Sequence, residues 1–281
     1  MKKKFGLIGY PLGHTMSPFI HKRLFEITKT DATYEAIETQ PEKLKEQIDF
    51  LRSFDGFNIT IPHKEAVIPL LSSLGESATL YGAVNTVCCK NGLLTGHSTD
   101  AYGFSAALKL AEIPLSGKVL ILGCGGVART IATECALKGC EVVIAVRPSS
   151  ILKANALIFD LKERFTTTAE VITPNEITGE YTLAVNGTPL GMYPNIHSSP
   201  LSLKQMEGIK YFFDAVYNPE DTQFIKTAQS LGKKAVSGMG MLVLQAAKAH
   251  QHWYGAKFEP EDIARLIALS NKEMRRLFDK K

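Results

Sequence analysis

The sequence predicts an α/β protein of two domains, and three observations carry that reading. Short β-branched or apolar runs alternate with segments whose apolar residues recur at helical spacing, the pattern of strands covered by helices. Residues 118–129, KVLILGCGGVAR, read as a strand turning sharply into a helix through a glycine-rich corner. The chain has 281 residues and is 45% hydrophobic, which suffices for two ordinary domains with separate cores.

The first strand is residues 5–8, and it runs straight into GYPLGHTMSPFIH, a loop rich in Gly and Pro. Ser17 is placed as a helix N-cap with Pro18 at the first helical position, and Ile20, Leu24 and Ile27 follow at helical spacing. Thr15 and Ser17 stand two apart where strand meets helix, so both hydroxyls can point into one cleft; a turn and a cap account for them equally. Residues 33–37 predict a second strand, and Pro41 opens a helix with Leu44, Ile48 and Leu51 as its buried stripe. Within GFNITIPHKE, residues 56–65, a strand over 57–61 alternates Asn58 and Thr60 with apolar neighbours, so both face one side. Pro62 ends it. Lys64 then falls in the first turn of a helix, where the macrodipole disfavours a cation, at the strand end where α/β sheets place ligands.

Residues 83–89 and 93–95 read as a hairpin closed by Asn91-Gly92, with Asn85 and Thr86 in its first strand. GHSTDAYGF leads into a helix with Thr99 or Asp100 near its N-cap and Phe104, Leu108 and Ala111 on its inner face. Residues 113–117 form a turn-like linker to the second domain.

The glycine-rich corner opens that domain. Gly123, Gly125 and Ala128 occupy the small positions of a G-x-G-x-x-[GA] fingerprint: a tight turn, close approach of a pyrophosphate, and close packing of helix on strand. A second strand, residues 141–146, completes a βαβ unit, which favours a bound dinucleotide. At its tip stands Arg147, with Pro148, Ser149, Ser150 and Lys153 after it and no carboxylate, which favours a ribose 2′-phosphate and hence NADP. Residues 152–165 predict a helix. Strand 183–185 ends in NGTPLGM, residues 186–192, and strand 212–216 precedes Tyr217, Asn218 and Pro219. A helix over 221–231 and a strand over 235–236 follow. A long helix opens at 238–241 with Leu242, Gln245, Ala249 and Trp253 near one stripe, and an amphipathic helix ends the chain from about residue 260 to 277.

Composition excludes several classes. The net charge of +4 comes from scattered residues, apart from Lys2 to Lys4 and the carboxy-terminal tail, so nucleic acid is not implied. Cys88, Cys89, Cys124, Cys135 and Cys140 have no C-x-x-C spacing and read as small, buried, reduced side chains of a cytoplasmic protein. Gly6, Gly9 and Pro11 interrupt the opening before a signal-peptide core can form, and nowhere do 18 apolar residues run together. Seven histidines, His14, His21, His63, His97, His197, His250 and His252, show no metal-binding spacing. His250 and His252 read as helix-surface residues, while His63 and His97 flank the polar motifs. The expected partner is a small molecule, with no metal, nucleic acid or membrane, and the protein a monomer or homodimer.

Taken together, these stretches resemble the shikimate/quinate dehydrogenase family over nearly the whole chain. GYPLGHTMSP resembles its substrate-carboxylate loop, NITIPHK its lysine motif, GAVNT its asparagine motif and STDAYG its aspartate motif. LGCGGVAR resembles its cofactor turn, and GMGMLVLQAA its returning helix. The resemblance implies an amino-terminal α/β substrate domain over residues 1–102, a Rossmann NADP-binding domain over 103–237, and carboxy-terminal helices over 238–281 returning to the first domain.

It further implies that Lys64 and Asp100 form the catalytic pair and that Thr15, Ser17, Asn58, Thr60, Asn85, Tyr217 and Gln245 hold substrate. Gly123, Gly125, Gly126, Val127, Ala128, Arg147, Asn186, Thr188, Gly238 and Met241 would hold NADP(H). The implied reaction is the reversible reduction of 3-dehydroshikimate to shikimate, in the pathway to chorismate and the aromatic amino acids. Lys64 would donate a proton to the developing alkoxide and Asp100 would orient its ammonium, while the cofactor supplies hydride.

Three departures keep an alternative open. Thr15 stands where the family usually has Ser and Ser98 where Asn is common, while Arg147 is flanked by Val146 and Pro148 in place of Asn and Thr. An added methyl shifts ring preference in a tight site, so the alternative is a quinate or dual quinate/shikimate dehydrogenase using NAD or NADP. From other classes, a dinucleotide-binding regulatory protein without catalysis is disfavoured because Lys64 and Asp100 are both present. A methylene-tetrahydrofolate-type dehydrogenase is disfavoured by GMGMLVLQAA and STDAYG.

Overall fold

A computed structural model describes residues 2–13 and 15–278; Met1, His14 and the basic tail, residues 279–281, lie outside the described residues. The chain divides into two compact units, Met1–Gly103 with Val243–Lys272, and Phe104–Leu242 with Glu273–Lys281.

Six strands build the first unit's sheet: β1 (Lys3–Gly9), β2 (Ala32–Glu38), β3 (Gly56–Ile59), β4 (Ser73–Leu74), β5 (Thr86–Lys90) and β6 (Leu93–His97), in the order β2-β1-β3-β5-β6-β4. The helices between them are α1 (Ser17–Ile27), α2 (Leu44–Leu51), α3 (His63–Ala66) and α4 (Glu76–Tyr81), and α5 (Asp100–Leu110) follows β6. β1 runs parallel to β2 and β3, whereas β5 is antiparallel to β3 and β6. The carboxyl ends of β1, β3 and β6 and the start of β5 therefore share one edge. The β5–β6 hairpin turns through Asn91 (φ 53°) and Gly92 (φ 75°), the left-handed pair that a two-residue turn between twisted strands requires.

The predicted stripe of Leu44, Ile48 and Leu51 buries α2 in a cluster with Ile8, Phe57 and Val87. Truncating one of these large apolar side chains to Ala costs about 2–5 kcal/mol. Elsewhere in the same unit Phe5 stacks on Phe25 and Trp253, at centroid distances of 5.2 and 4.5 Å. The Trp253 indole N–H donates to the Val87 carbonyl at 2.9 Å, and any Cβ on Gly56 would collide with that indole.

The second unit holds β7 (Lys118–Leu122), β8 (Glu141–Ala145), β9 (Ala169–Ile172), β10 (Tyr181–Asn186), β11 (Ile209–Asp214) and β12 (Lys234–Val236), all parallel, in the order β12-β11-β10-β7-β8-β9. This is the doubly wound Rossmann order, whose direction reverses between β7 and β10. Its helices are α6 (Gly126–Leu137), α7 (Ile151–Arg164), α8 (Leu203–Met206) and α9 (Gln223–Ser230); α10 (Gly238–Tyr254) and α11 (Pro260–Phe278) complete the chain. Leu120, Val143, Ala184, Phe212 and Phe224 are central to the unit's core.

The structure corrects several expectations. Ser17 is not an N-cap: Met16 already has helical torsions, and Ser17 is the first residue of α1, its N–H bonded to Thr15 Oγ1 at 3.2 Å. β3 stops at Ile59, and β5 starts at Thr86, leaving Asn85 before it. β4, α4, α8 and β9 had no expectation, being short or, in β9, interrupted by Glu170. On α10 the buried positions include Val243, Ala246, Ala247, His250 and the expected Ala249, whereas Leu242, Gln245 and Trp253 only flank the stripe.

His250 is fully buried, not at the helix surface, because each ring nitrogen has a partner: Nε2 meets His21 Nδ1 at 2.8 Å and Nδ1 meets the Tyr254 hydroxyl at 2.5 Å. His252 is half-buried and stacks on His97 at 4.1 Å. All five cysteines are free, but Cys88 and Cys89 are only half-buried. Burial still pushes their thiols up to about 11 and about 12.

Candidate active site

The shared sheet edge of the first unit gathers the polar motifs. Thr15 and Ser17 follow β1, Thr60 follows β3, Lys64 lies on α3, Asn85 precedes β5 and Asp100 begins α5 directly after β6. Sequence alone placed these residues on separate motifs; the mixed strand order brings their backbones to one edge.

Lys64 and Asp100 meet at the centre, with the ammonium donating to Asp100 Oδ2 at 2.5 Å. The Asp100 side chain is 4% exposed and that of Lys64 18%, so the carboxylate is shielded from bulk water while the lysine side chain stays partly exposed. Such a shielded ion pair is stronger than a surface one, and its cost is desolvation that further hydrogen bonds must offset. Asn85 supplies one. Its Nδ2 donates to Asp100 Oδ1 at 2.9 Å and to Gln245 Oε1 at 3.0 Å, and its Oδ1 accepts from the Thr99 backbone N–H at 2.8 Å. Gln245, the predicted polar residue on α10, is thereby joined to the Lys64–Asp100 pair.

Asn58 is differently placed. Its Oδ1 accepts from the Tyr34 hydroxyl at 2.8 Å, and its Nδ2 donates to the Asn85 carbonyl and Thr86 Oγ1, both at 3.1 Å. His63 is buried, its Nε2 2.6 Å from the Thr39 carbonyl. Sequence reasoning did not single out Tyr34, Thr86 or Thr99 as site residues. The GAVNT and STD stretches held the signal for the last two, since each puts a hydroxyl beside an amide or carboxylate of interest.

In the second unit the residues fit a dinucleotide. Gly123 has φ +98°, the left-handed torsion that the tight turn after β7 demands. A Cβ built on Gly125 or Gly126 meets no protein atom within 4 Å, and α6 starts at Gly126 without a side-chain cap. Uncapped first-turn N–H groups beside open space are what a pyrophosphate occupies. Ala128 packs so closely on Gly187 that no Cβ fits there, which draws the loop after β10 against α6 at the switch point. Arg147 is exposed at the end of β8.

Asn186 ties down its own loop. Its Oδ1 accepts from the Thr188 N–H (3.0 Å) and hydroxyl (2.7 Å), and its Nδ2 donates to the Leu190 carbonyl and Asp214 Oδ1. Asp214 is fully buried and also accepts from the Val216 N–H at 2.9 Å and the Thr222 hydroxyl at 2.6 Å. Burial outweighs these three bonds and raises its carboxyl to about 6. A lone carboxylate ending the apolar run of β11 was the sequence signal for it. Tyr217 directly follows the buried Val216, Met241 is buried, and Gly238 donates to the Val216 carbonyl at 3.0 Å in a contact too tight for a Cβ.

Among the described residues no cluster of His, Cys, Asp or Glu could hold a metal ion, and no helix is long and apolar enough to cross a membrane.

Comparison with known proteins bears on the whole chain. The family described as "Shikimate dehydrogenase substrate binding domain" matches residues 7–87. A shikimate dehydrogenase (NADP(+)) of Caldanaerobacter subterraneus subsp. tengcongensis is 37% identical over 265 residues, 92% of this chain and 94% of the relative. The crystal structure of Thermus thermophilus shikimate 5-dehydrogenase in complex with NADP(H) and shikimate superposes with a TM-score of 0.84 at 33% identity, over 95% of this chain and 99% of that one. The Listeria monocytogenes enzyme in complex with shikimate and NAD gives 0.86 at 29% identity, over 95% and 96%. By its identity to such relatives over nearly its full length, the chain belongs to the shikimate dehydrogenase family.

Proposed function

We infer that this protein is an NADP-dependent oxidoreductase that interconverts 3-dehydroshikimate and shikimate, in the shikimate pathway of aromatic amino-acid biosynthesis. The observation that carries this reading is the Lys64–Asp100 pair, shielded, 2.5 Å long and braced by Asn85 at a sheet edge. A carbonyl becoming an alkoxide needs a proton and a cation beside the oxygen, and Lys64 offers both. Asp100 turns the ammonium toward the reacting oxygen and accepts from the neighbouring ring hydroxyl.

Thr15, Ser17 and Thr60 supply hydroxyls on the segments after β1 and β3, suited to a carboxylate and ring hydroxyls that must be bound and released. Gln245 and Asn85 hold the hydroxyl side, and Tyr217 is a further substrate-binding residue. NADPH supplies the hydride when bound. Gly123, Gly125, Gly126, Val127 and Ala128 hold its pyrophosphate, Arg147 its 2′-phosphate, and Asn186, Thr188, Gly238 and Met241 shape the rest of its seat. In this reading residues 1–102 bind substrate and 103–237 bind cofactor, and of the helices over 238–281 it is residues 243–272 that return to the first domain, in a cytoplasmic monomer or homodimer.

The test is the rate of nicotinamide reduction with shikimate and quinate, each against NADP and NAD. Shikimate with NADP is expected to be the fastest of the four. Equal or faster quinate or NAD rates would transfer the protein to the dual-specificity alternative and make Thr15 and Val146 the residues responsible. No rate in any combination would refute the reading.

A further inference from the structure

Five hydrogen-bonding residues of the first unit line up from Tyr34 on β2 to Asp100 of the Lys64–Asp100 pair. The Tyr34 hydroxyl reaches Asn58 Oδ1 at 2.8 Å, Asn58 Nδ2 reaches Thr86 Oγ1 at 3.1 Å, Thr86 Oγ1 reaches Asn85 Oδ1 at 3.1 Å, and Asn85 Nδ2 reaches Asp100 Oδ1 at 2.9 Å. The other Asp100 oxygen takes the Lys64 ammonium.

The partners fix both amide orientations and, with the shorter contact at Thr86, the direction of the chain. Asn85 Nδ2 faces Asp100 and Asn85 Oδ1 faces the Thr99 backbone N–H, a carboxylate and an obligate donor, so the amide cannot be reversed. Asn58 Nδ2 faces the Asn85 carbonyl, which only accepts, so its oxygen must point at Tyr34. Thr86 therefore accepts from Asn58 and gives its single proton to Asn85 Oδ1 at 3.1 Å, the nearer of its two remaining partners, with Thr99 Oγ1 at 3.5 Å. Tyr34, facing an amide oxygen, must donate. The four bonds run head to tail toward Asp100, the arrangement in which each bond polarises the next.

Two features show that the chain is built in. Thr86 is fully buried and Asn85 nearly so, which leaves them no water to replace a lost partner. The Tyr34 ring is clamped flat on His21, at 4.1 Å between centroids and 8° between planes, and His21 is held by His250. Both amide hydrogens of Asn58 are spent inside the protein, so its donors are not available to a ligand.

We propose that Tyr34 is a positioning residue for the reaction, acting through Asn58, Thr86 and Asn85 to hold the Asp100 carboxylate, and with it Lys64, in the reacting orientation. Asn58 then serves as a link in this chain. The proposal rests on the reading of Lys64 and Asp100 as the reacting pair.

The test is shikimate oxidation with NADP by the wild type and by Y34F, T86V, T86S and Y34F/T86V. Y34F keeps the ring on His21 and deletes one hydroxyl. Its kcat is expected to fall about five-fold, the size of one hydrogen bond, with the KM for NADP within two-fold of wild type. T86V cuts the chain nearer Asp100 and should lose more, T86S should recover most of that loss, and the double variant should be no slower than T86V within two-fold, because the cut chain already isolates Tyr34. A kcat for Y34F within 1.5-fold of wild type, or losses that multiply in the double variant, would overturn the proposal. Should T86V not fold, the Y34F result decides alone. An active wild type with an unaffected Y34F defeats this inference only, whereas a wild type without turnover defeats the underlying reaction and this inference with it.

Discussion

The backbone N–H of Val84 donates to the carbonyl of Lys64 at 2.8 Å, so the residue before Asn85 is bonded directly to the residue that carries the ammonium. Lys64 sits on a helix of only four residues, too short to hold a side chain steady by itself. The bond lends it the rigidity of the segment entering β5, and Asn85 on that segment reaches Asp100. One short stretch, Val84 to Thr86, thus braces both members of the pair.

Removing the Asn85 amide should therefore damage the fold as well as the reaction. Asn85→Ala leaves the buried Thr99 N–H without its 2.8 Å acceptor and takes a donor from Asp100. A loss of about 2–4 kcal/mol is expected in urea unfolding, with turnover reduced in the surviving native fraction. Stability within about 0.5 kcal/mol of wild type would show that the amide is not the brace described.

The buried histidines predict acid sensitivity. Burial holds His250 down to about 3 and, with the neighbouring His250, keeps His21 well below its ordinary 6.5. Both are neutral in the fold and protonate first in the unfolded chain, so their contribution is complete above about pH 6.5 and is lost as pH falls below it. Each histidine contributes a slope of up to about 1.4 kcal/mol per pH unit. Urea midpoints measured from pH 7 to pH 4.5 should fall steadily in the wild type and more shallowly in His250→Gln. Equal slopes would contradict the assignment.

Asp214 predicts the opposite sign. Its folded carboxyl is raised to about 6 from 3.8, so the proton is held more tightly in the fold, and the stability this confers is complete below about pH 4 and lost as pH rises through 6. Asp214→Asn keeps an acceptor for Asn186 and Val216 and can donate to Thr222. Relative to wild type it should gain about 3 kcal/mol between pH 4 and pH 7. A difference independent of pH would mean that the carboxyl is not raised.

Much of this was legible in the sequence because local chemistry and tertiary structure agree. The Asn91-Gly92 turn, the stripe on α2 and the glycine corner after β7 are each specified within a few residues, and the structure keeps all three. What sequence periodicity could not convey depends on partners distant in the chain. His250 looked like a surface histidine because its partner, His21, lies 229 residues away. Tyr34 looked like an ordinary strand residue, since its hydroxyl meets Asn58 only through the β2-β1-β3 order. The Asp214 site depends on Asn186, 28 residues away at the end of β10, which periodicity along β11 does not convey.

The most direct measurement of the account is the kinetics of Lys64→Ala with shikimate and NADP, read as kcat and KM separately. If the Lys64 ammonium supplies the proton and the charge beside the reacting oxygen, kcat falls by about 100-fold or more while the KM for shikimate changes only a few-fold. A variant that keeps kcat within a few-fold of wild type, or that loses only KM, would contradict the assignment of Lys64 as the catalytic group.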